Sequence, residues 1–267
     1  MKYKNEMNKL VKTKYGLMLC NKFDKYVGQA LITYGEYSDE EISLFKGLCT
    51  QGDTVIEVGA NYGSHTLPLS QIVGESGTVI AFEPQRVVFQ TLCANMALNS
   101  VQNVHCFQNA VSSKKTELYI PAIDYDKEGN FGGISMQKEG TEEVKVVKLD
   151  SFISIKSLSL IKIDVEGMEL NVLKGARKTI QKFQPILYVE NDRFDKHTSL
   201  IQYIDSLGYE MYWHITPLFN THNFFKKNQN IYKKLVSCNM LCFPKSLKMD
   251  LQNFDKVNIH SKHPFDV

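Results

Sequence analysis

The sequence predicts an α/β protein: a doubly wound, mostly parallel sheet with a small N-terminal extension and a β-excursion. Three observations carry this. Short apolar, β-branched runs at 55–58, 78–82, 104–107, 159–163 and 185–189 alternate with helix-periodic segments, which implies parallel strands joined by right-handed crossovers. The runs are nearly continuous in apolar character, as strands covered on both faces require. Polar groups punctuate their ends, namely Glu57, Glu83, Asn109, Asp164 and Glu190. Open α/β sheets bind ligands outside the carboxyl ends of their strands.

At 267 residues and 43% hydrophobic content, the chain suits one large domain with additions. Lys+Arg of 31 against Asp+Glu of 29 leaves a charge of +2, so nothing argues for a nucleic-acid partner or an acidic membrane surface. The six cysteines form no C-x-x-C pair; they read as reduced thiols, with Cys93 and Cys106 in core elements. There is no run of 18 apolar residues and no apolar leader behind the lysine-rich start, so neither a membrane span nor a secretion signal is expected. A cytoplasmic location follows as the expectation.

Residues 1–50 read as an N-terminal extension. Residues 12–25 suggest a hairpin around Gly16, and Ser38 with Glu41 three residues later forms a capping box for the helix that follows. Residues 51–244 read as the main ligand-binding domain and 245–267 as a peripheral tail. The first strand runs into Gly59-Ala60-Asn61-Tyr62-Gly63, a tight turn, and Ser64 or Thr66 can cap the helix beyond it. The spacing is Gly-x-x-x-Gly, which is not the dinucleotide fingerprint. Glu57, just before the turn, would repel a phosphate and attract a cationic amine. Glu83 ends the second strand, about 20 residues past the glycines, where a ribose diol is usually held. A ligand with a ribose, an ammonium and no phosphate fits these residues, and S-adenosylmethionine is such a ligand.

The helix over 85–99 buries Val88, Leu92, Met96 and Ala97 by its spacing, and 104–107 is the third strand. Strands at 117–121 and 144–149 then flank a glycine-bearing loop over 124–143, long enough to be functional or disordered. The parallel pattern resumes with the strand at 159–163, a helix over 168–183, the strand at 185–189 and a helix over 198–207. A closing strand pair, 209–213 with 238–243, brackets an Asn- and Phe-rich segment from His214 to Lys234.

Val-Gly-Ala-Asn-Tyr-Gly (58–63), Ala-Phe-Glu-Pro (81–84), Asn-Ala (109–110), Lys-Ile-Asp-Val-Glu-Gly (162–167), Val-Leu-Lys-Gly-Ala (172–176) and Val-Glu (189–190) resemble the FkbM family of S-adenosylmethionine-dependent methyltransferases. The likeness spans residues 50–244. It implies a Rossmann-like class I methyltransferase fold and mainly O-methylation, often of sugar or polyketide hydroxyls. Carried onto this chain, it implies a cofactor site of Glu57, Gly59, Asn61, Tyr62, Gly63 and Thr66 around the methionine moiety. Glu83 with Pro84 would lie at the ribose, and Asn109 with Ala110 at the adenine. The acceptor would be a small molecule or glycan; a homodimer is compatible with the sequence.

An alcohol acceptor needs a general base or a metal at neutral pH. Asp164 is the first candidate base and Glu190 its neighbour; the two could instead hold Mg²⁺. Glu166 reads as a helix-terminus acid, and His65 as a packing residue or part of the pocket wall. His214 is a third catalytic candidate in the covering segment. Tyr34, Glu36, Trp213, Phe219, Asn220 and Asn223 are acceptor-pocket candidates, aromatics beside amides suiting a polar ring. Two other readings stay open on the residues alone: a nucleotide-dependent oxidoreductase on the same fold, and a non-catalytic ligand-binding protein.

Overall fold

The computed structural model describes residues 7–114, 118–249 and 251–266. An antiparallel hairpin, β1 (Asn8–Thr13) and β2 (Gly16–Asn21), opens the chain and is followed by α1 (Val27–Tyr34) and α2 (Asp39–Leu48). The first half of the main sheet is β3 (Thr54–Val58), α3 (Thr66–Val73), β4 (Thr78–Phe82), α4 (Arg86–Leu98) and β5 (Val104–Phe107). The excursion holds β6 (Ala110–Val111), β7 (Leu118–Ile120), β8 (Glu142–Val144), β9 (Val146–Val147) and one turn of helix, α5 (Leu149–Phe152). The second half is β10 (Leu160–Ile163), α6 (Glu169–Gly175), α7 (Arg177–Phe183), β11 (Ile186–Glu190) and α8 (Phe194–Ser206). Three antiparallel edge strands complete it, β12 (Tyr209–Pro217), β13 (Val236–Pro244) and β14 (Lys256–Val257).

The eight-stranded sheet is ordered β14-β12-β13-β11-β10-β3-β4-β5. β11, β10, β3, β4 and β5 are parallel, and β13, β12 and β14 antiparallel to their neighbours. The chain winds outward from β3 to β5, then returns to β10 on the other side of β3. That reversal opens a crevice between the ends of β3 and β10.

Successive residues of β3 face opposite layers. Val55 packs with Leu69 and Val73 of α3, while Ile56 and Val58 join Val172, Leu173, Ile180 and Ile201 from the helices of the second half. Burying each such side chain is worth about 1.5–3 kcal/mol, which fixes the strand register and carries the polar strand ends to one edge.

The structure departs from several sequence expectations. Ser38 sits at φ 46° and makes no side-chain cap, so the capping box does not form. The hydroxyl of Thr66 is spent on Glu57, so α3 also starts without a side-chain cap. A helix, α1, occupies 27–34; Asp24 anchors it by accepting from the backbone N–H groups of Tyr26 (3.1 Å) and Gly28 (2.9 Å). On α4 the fully buried polar residue is Asn95, whereas Ala97 is exposed. The helix expected over 168–183 breaks at Ala176. There a Cβ on Gly175 would lie 2.3 Å from the carbonyl oxygen of Ser112, so that turn is pressed against the excursion. Cys93 and Cys106 are only half-buried. The strand start expected at Glu117 lies outside the described residues. Residues of the C-terminal stretch are not all peripheral: β14 extends the sheet, and the buried His263 ring reaches the carbonyl of Asn191 at 2.8 Å.

Candidate active site

The glycine turn and the end of β10 meet across the crevice. The amide of Asp164 donates to the carbonyl of Val58 (3.0 Å). Gly59 has φ +87°, and a Cβ there would stand 1.8 Å from the carbonyl oxygen of Asp164. No other residue type fits this approach. Asn61 also has positive φ, and its side chain accepts from the amide of Tyr62 at 2.7 Å.

A cavity of about 180 Å³ opens above this meeting point. Gly59, Asn61, Glu83, Asp164 and Glu190 line it from the sheet edge, Glu41 and Lys162 from deeper in the fold, and Asn130, Gly132 and Gly133 from the excursion loop. A smaller chamber of about 40 Å³ shares Gly59, Glu83, Gly132 and Asp164 with it. The walls of that chamber are Pro84, Asn109, Ala110, Val111, Ile134 and Met136. The loop across 124–143 thus roofs both spaces.

Glu83 stands at the junction. Its two carboxylate oxygens accept from the amides of Asn61 and Gln85, each at 2.9 Å. Burial pushes its pKa up to about 7 against those two bonds. Each oxygen keeps a lone pair for a ligand hydroxyl.

Lys162 is the electrostatic hub. It is 2% exposed, its Nζ lying 3.2 Å from Asp164 Oδ2 and 3.9 Å from Glu57 Oε1. Burial alone would lower its pKa, yet the charges of Asp164, Glu57 and Glu41 hold it above the ordinary lysine value. Burial in turn pushes Glu41 and Glu57 up to about 7, opposed in both by Lys162. Glu41 accepts from Ser237 (2.7 Å) and Asn239 (3.2 Å) of β13. Beside it, His65 is packed between the rings of Tyr37 and Phe45, and burial followed by the Lys162 charge holds its pKa well below the ordinary histidine value.

On the β11 side, Glu190 is held well above the usual carboxylate range, by burial first and then by Asp164 and Glu166. Glu166, at φ 56°, pairs with Arg193, and burial still pushes it up to about 7. It therefore belongs to the cavity wall rather than to a helix N-terminus, where a capping role would have placed it.

Of the residues singled out from sequence, Gly59, Asn61, Glu83, Pro84, Asn109, Ala110, Asp164 and Glu190 come together on these walls. Glu57, Tyr62, Gly63 and Thr66 do not line them. Glu57 accepts from Thr66 Oγ1 (2.6 Å), and the cationic amine it meets is Lys162. Tyr62 packs in the core beside Leu92, and a Cβ on Gly63 would meet Leu92 at 2.7 Å, so that glycine serves helix packing. His214 stands outside the cavity. It lies within β12, which is longer than expected, and its Nδ1 contacts the Tyr188 hydroxyl at 2.8 Å. Trp213 stacks on His197 in the core. Tyr34, Glu36, Asn220 and Asn223 surround a separate small pocket, with Phe219 against the Tyr34 ring. Their polar groups bind one another there: Asn220 donates to Glu36 at 2.7 Å, and the amide of Phe224 donates to Glu36 at 2.9 Å.

Comparison with known proteins agrees with this architecture. The family model described as "Methyltransferase FkbM domain" matches residues 57–211. The chain is similar to Methyltransferase 1 of Beauveria bassiana, 26% identical over 185 residues, covering 60% of this chain and 74% of that one. It is likewise similar to the hexuronic acid methyltransferase AglP of Haloferax volcanii, 26% identical over 134 residues, covering 49% of this chain; it spans about half (53%) of that relative's length. Among solved structures, precorrin-6y C5,15-methyltransferase from Geobacter metallireducens shares the fold at a TM-score of 0.50 and 10% identity, over 76% of this chain and 85% of that one. No helix among the described residues is long and apolar enough to cross a membrane. With a matched segment that runs from Glu57 through the whole crevice to Met211, the chain belongs to the methyltransferase FkbM domain family and is an S-adenosylmethionine-dependent methyltransferase.

Proposed function

We propose that the protein transfers a methyl group from S-adenosylmethionine to a hydroxyl of a sugar or related small acceptor, on a Rossmann-like class I methyltransferase sheet. The observation that carries this reading is the position of Glu83, a buried carboxylate where an apolar chamber meets an acidic one. The fit to the cofactor is good on the residues present. Glu83 offers its free lone pairs to a ribose diol, Ala110, Ile134 and Met136 offer apolar walls to an adenine, and the Gly59 turn leaves room where a Cβ would intrude. S-adenosylmethionine supplies the chemistry of an electrophilic methyl group on a cationic sulfur.

The chain's own contribution is to hold the acceptor and accept its proton. Asp164 is the group for this: it borders both chambers, and its side chain is 39% exposed. Lys162 fixes its orientation from below. Glu190, whose pKa burial and the neighbouring acids hold above the usual carboxylate range, stands beside Asp164 on the cavity wall. The sugar class is supported by the family resemblance and by the Haloferax relative, which is named for a hexuronic acid.

Calorimetric titration tests the cofactor and transfer of a labelled methyl group to a panel of glycans and nucleotide sugars tests the acceptor. Binding of S-adenosylmethionine but not NAD, with label in an ether, is the expected result; label in an amine product would overturn the hydroxyl assignment. Glu83→Ala should weaken cofactor binding about ten- to a hundred-fold, the value of charge-assisted bonds of roughly 1.5–3 kcal/mol. Unchanged affinity in that variant would remove Glu83 from the ribose.

The raised pKa of Glu83 adds a pH dependence. With a folded-state pKa of about 7 against an ordinary 4.5, this group stabilises the free protein below pH 4.5, and that contribution is lost as pH rises through 7. Ribose hydroxyls prefer the ionised carboxylate, so cofactor affinity should rise between pH 6 and 8 with proton release on binding. Titrations in buffers of different ionisation enthalpy read that release, and a Glu83→Gln variant should show none.

A further inference from the structure

We propose that Asp164, Glu166 and Glu190 form a binding site for one hard divalent cation of the Mg²⁺ or Ca²⁺ class in the wall of the larger cavity. One carboxylate oxygen from each of the three lies within 4.8 Å of the others. Oxygens on opposite sides of such an ion are ~4.2 Å apart for Mg²⁺ and ~4.6–5.2 Å for Ca²⁺, so the three need little movement to share one.

An acidic cluster alone would not argue for an ion. The independent observation is Glu190 Oε2, which is sealed from solvent, has no hydrogen-bond partner and belongs to a side chain on the cavity wall. A buried polar atom with nothing to bond is costly unless a ligand completes it. Neighbouring charges point the same way. Lys162 is shared between Asp164 and Glu57, Arg193 pairs with both Glu166 and Asp192, and Glu190 makes no ion pair with either cation. A divalent ion supplies the missing positive charge.

Glu190 ends β11, and Asp164 and Glu166 lie on the turn that leaves β10, the two strands being paired side by side through Ile163 and Val189. The site is thus built at the sheet edge and takes no ligand from the excursion loop. Three protein ligands leave coordination positions for water and for two neighbouring acceptor hydroxyls, which the ion would acidify. That consequence rests on the hydroxyl-acceptor reading given above; the binding of the ion does not.

The test uses the full chain, freed of metal with a chelator, without cofactor or acceptor. Mn²⁺ is titrated in and its free form followed by electron paramagnetic resonance, with Mg²⁺ and Ca²⁺ as competitors. One saturable ion per chain is expected, displaced by at least one competitor. Glu190→Gln and Glu166→Gln should each weaken it about tenfold or more, while Glu210→Gln on β12 should leave it unchanged. Far-ultraviolet circular dichroism checks that each variant is folded, and either folded variant suffices. No saturable binding below ~1 mM, the weak end for oxygen-ligand sites, overturns the proposal, as does wild-type affinity in the folded variants. Cofactor titration on the same samples is independent, so the methyltransferase reading survives or fails separately.

Discussion

Asp164→Asn is expected to lower methyl transfer about 10²- to 10⁴-fold, the usual worth of a positioned proton acceptor, with cofactor affinity retained. The substitution keeps the shape and removes only the negative charge. Asp164 ends β10 with its amide on Val58 and its carboxylate toward the cavity, so the backbone contacts that build the crevice are untouched. Lys162 does not become an orphan, because Glu57 remains 3.9 Å from its ammonium. Glu83 and the glycine turn, which would meet the cofactor, lie on β3 and β4 and are unaffected. Single-turnover transfer of labelled methyl, alongside calorimetry with S-adenosylmethionine, separates chemistry from binding. A loss below tenfold, with the acceptor saturating, would show that Asp164 takes no proton.

The parts of this site that were legible in the sequence are those whose signal is local. Val55, Ile56 and Val58 are β-branched in a row, Gly59 breaks them, and Glu83 closes the next strand, so strand, turn and acid could be placed from spacing. Glu41 shows the opposite case. Its local pattern with Ser38 matches a capping box, but its partners Ser237 and Asn239 are nearly 200 residues away and win it for the site. Lys162 carried no warning of its role either. A lysine inside a strand is tolerated at 2% exposure only because α2, β3 and the end of β10 each bring a carboxylate, a fact of topology. His214 stays outside the cavity for a related reason: β12 and β13 pair over nine residues, from Tyr209 opposite Pro244 to Pro217 opposite Val236, and that pairing holds the histidine in the sheet. An acid before a glycine turn suits a cationic amine, which is what points Glu57 toward the cofactor in the sequence. The fold supplied a cationic amine of its own.

That internal amine leads to the largest stability effect. Lys162→Met is expected to destabilise the protein by about 3–5 kcal/mol, the cost of breaking a buried charge group by removing one partner. Methionine fills similar space, so a cavity is not the cause. The loss comes from leaving Glu57, Asp164 and Glu41 facing one another without a counter-ion. The pH dependence identifies it. Glu57 and Glu41 already titrate near 7 with the lysine present, and without it they must rise further. A carboxyl whose folded pKa is raised contributes stability while protonated and loses it as pH climbs through that pKa. The penalty should therefore be small at pH 5.5 and full at pH 8. Urea unfolding at the two values measures it, and adding Glu57→Gln to Lys162→Met should recover part of the loss, since the two residues share one interaction. A penalty that is the same at both pH values would mean that the lysine's packing, and not its charge, is what the carboxylates depend on.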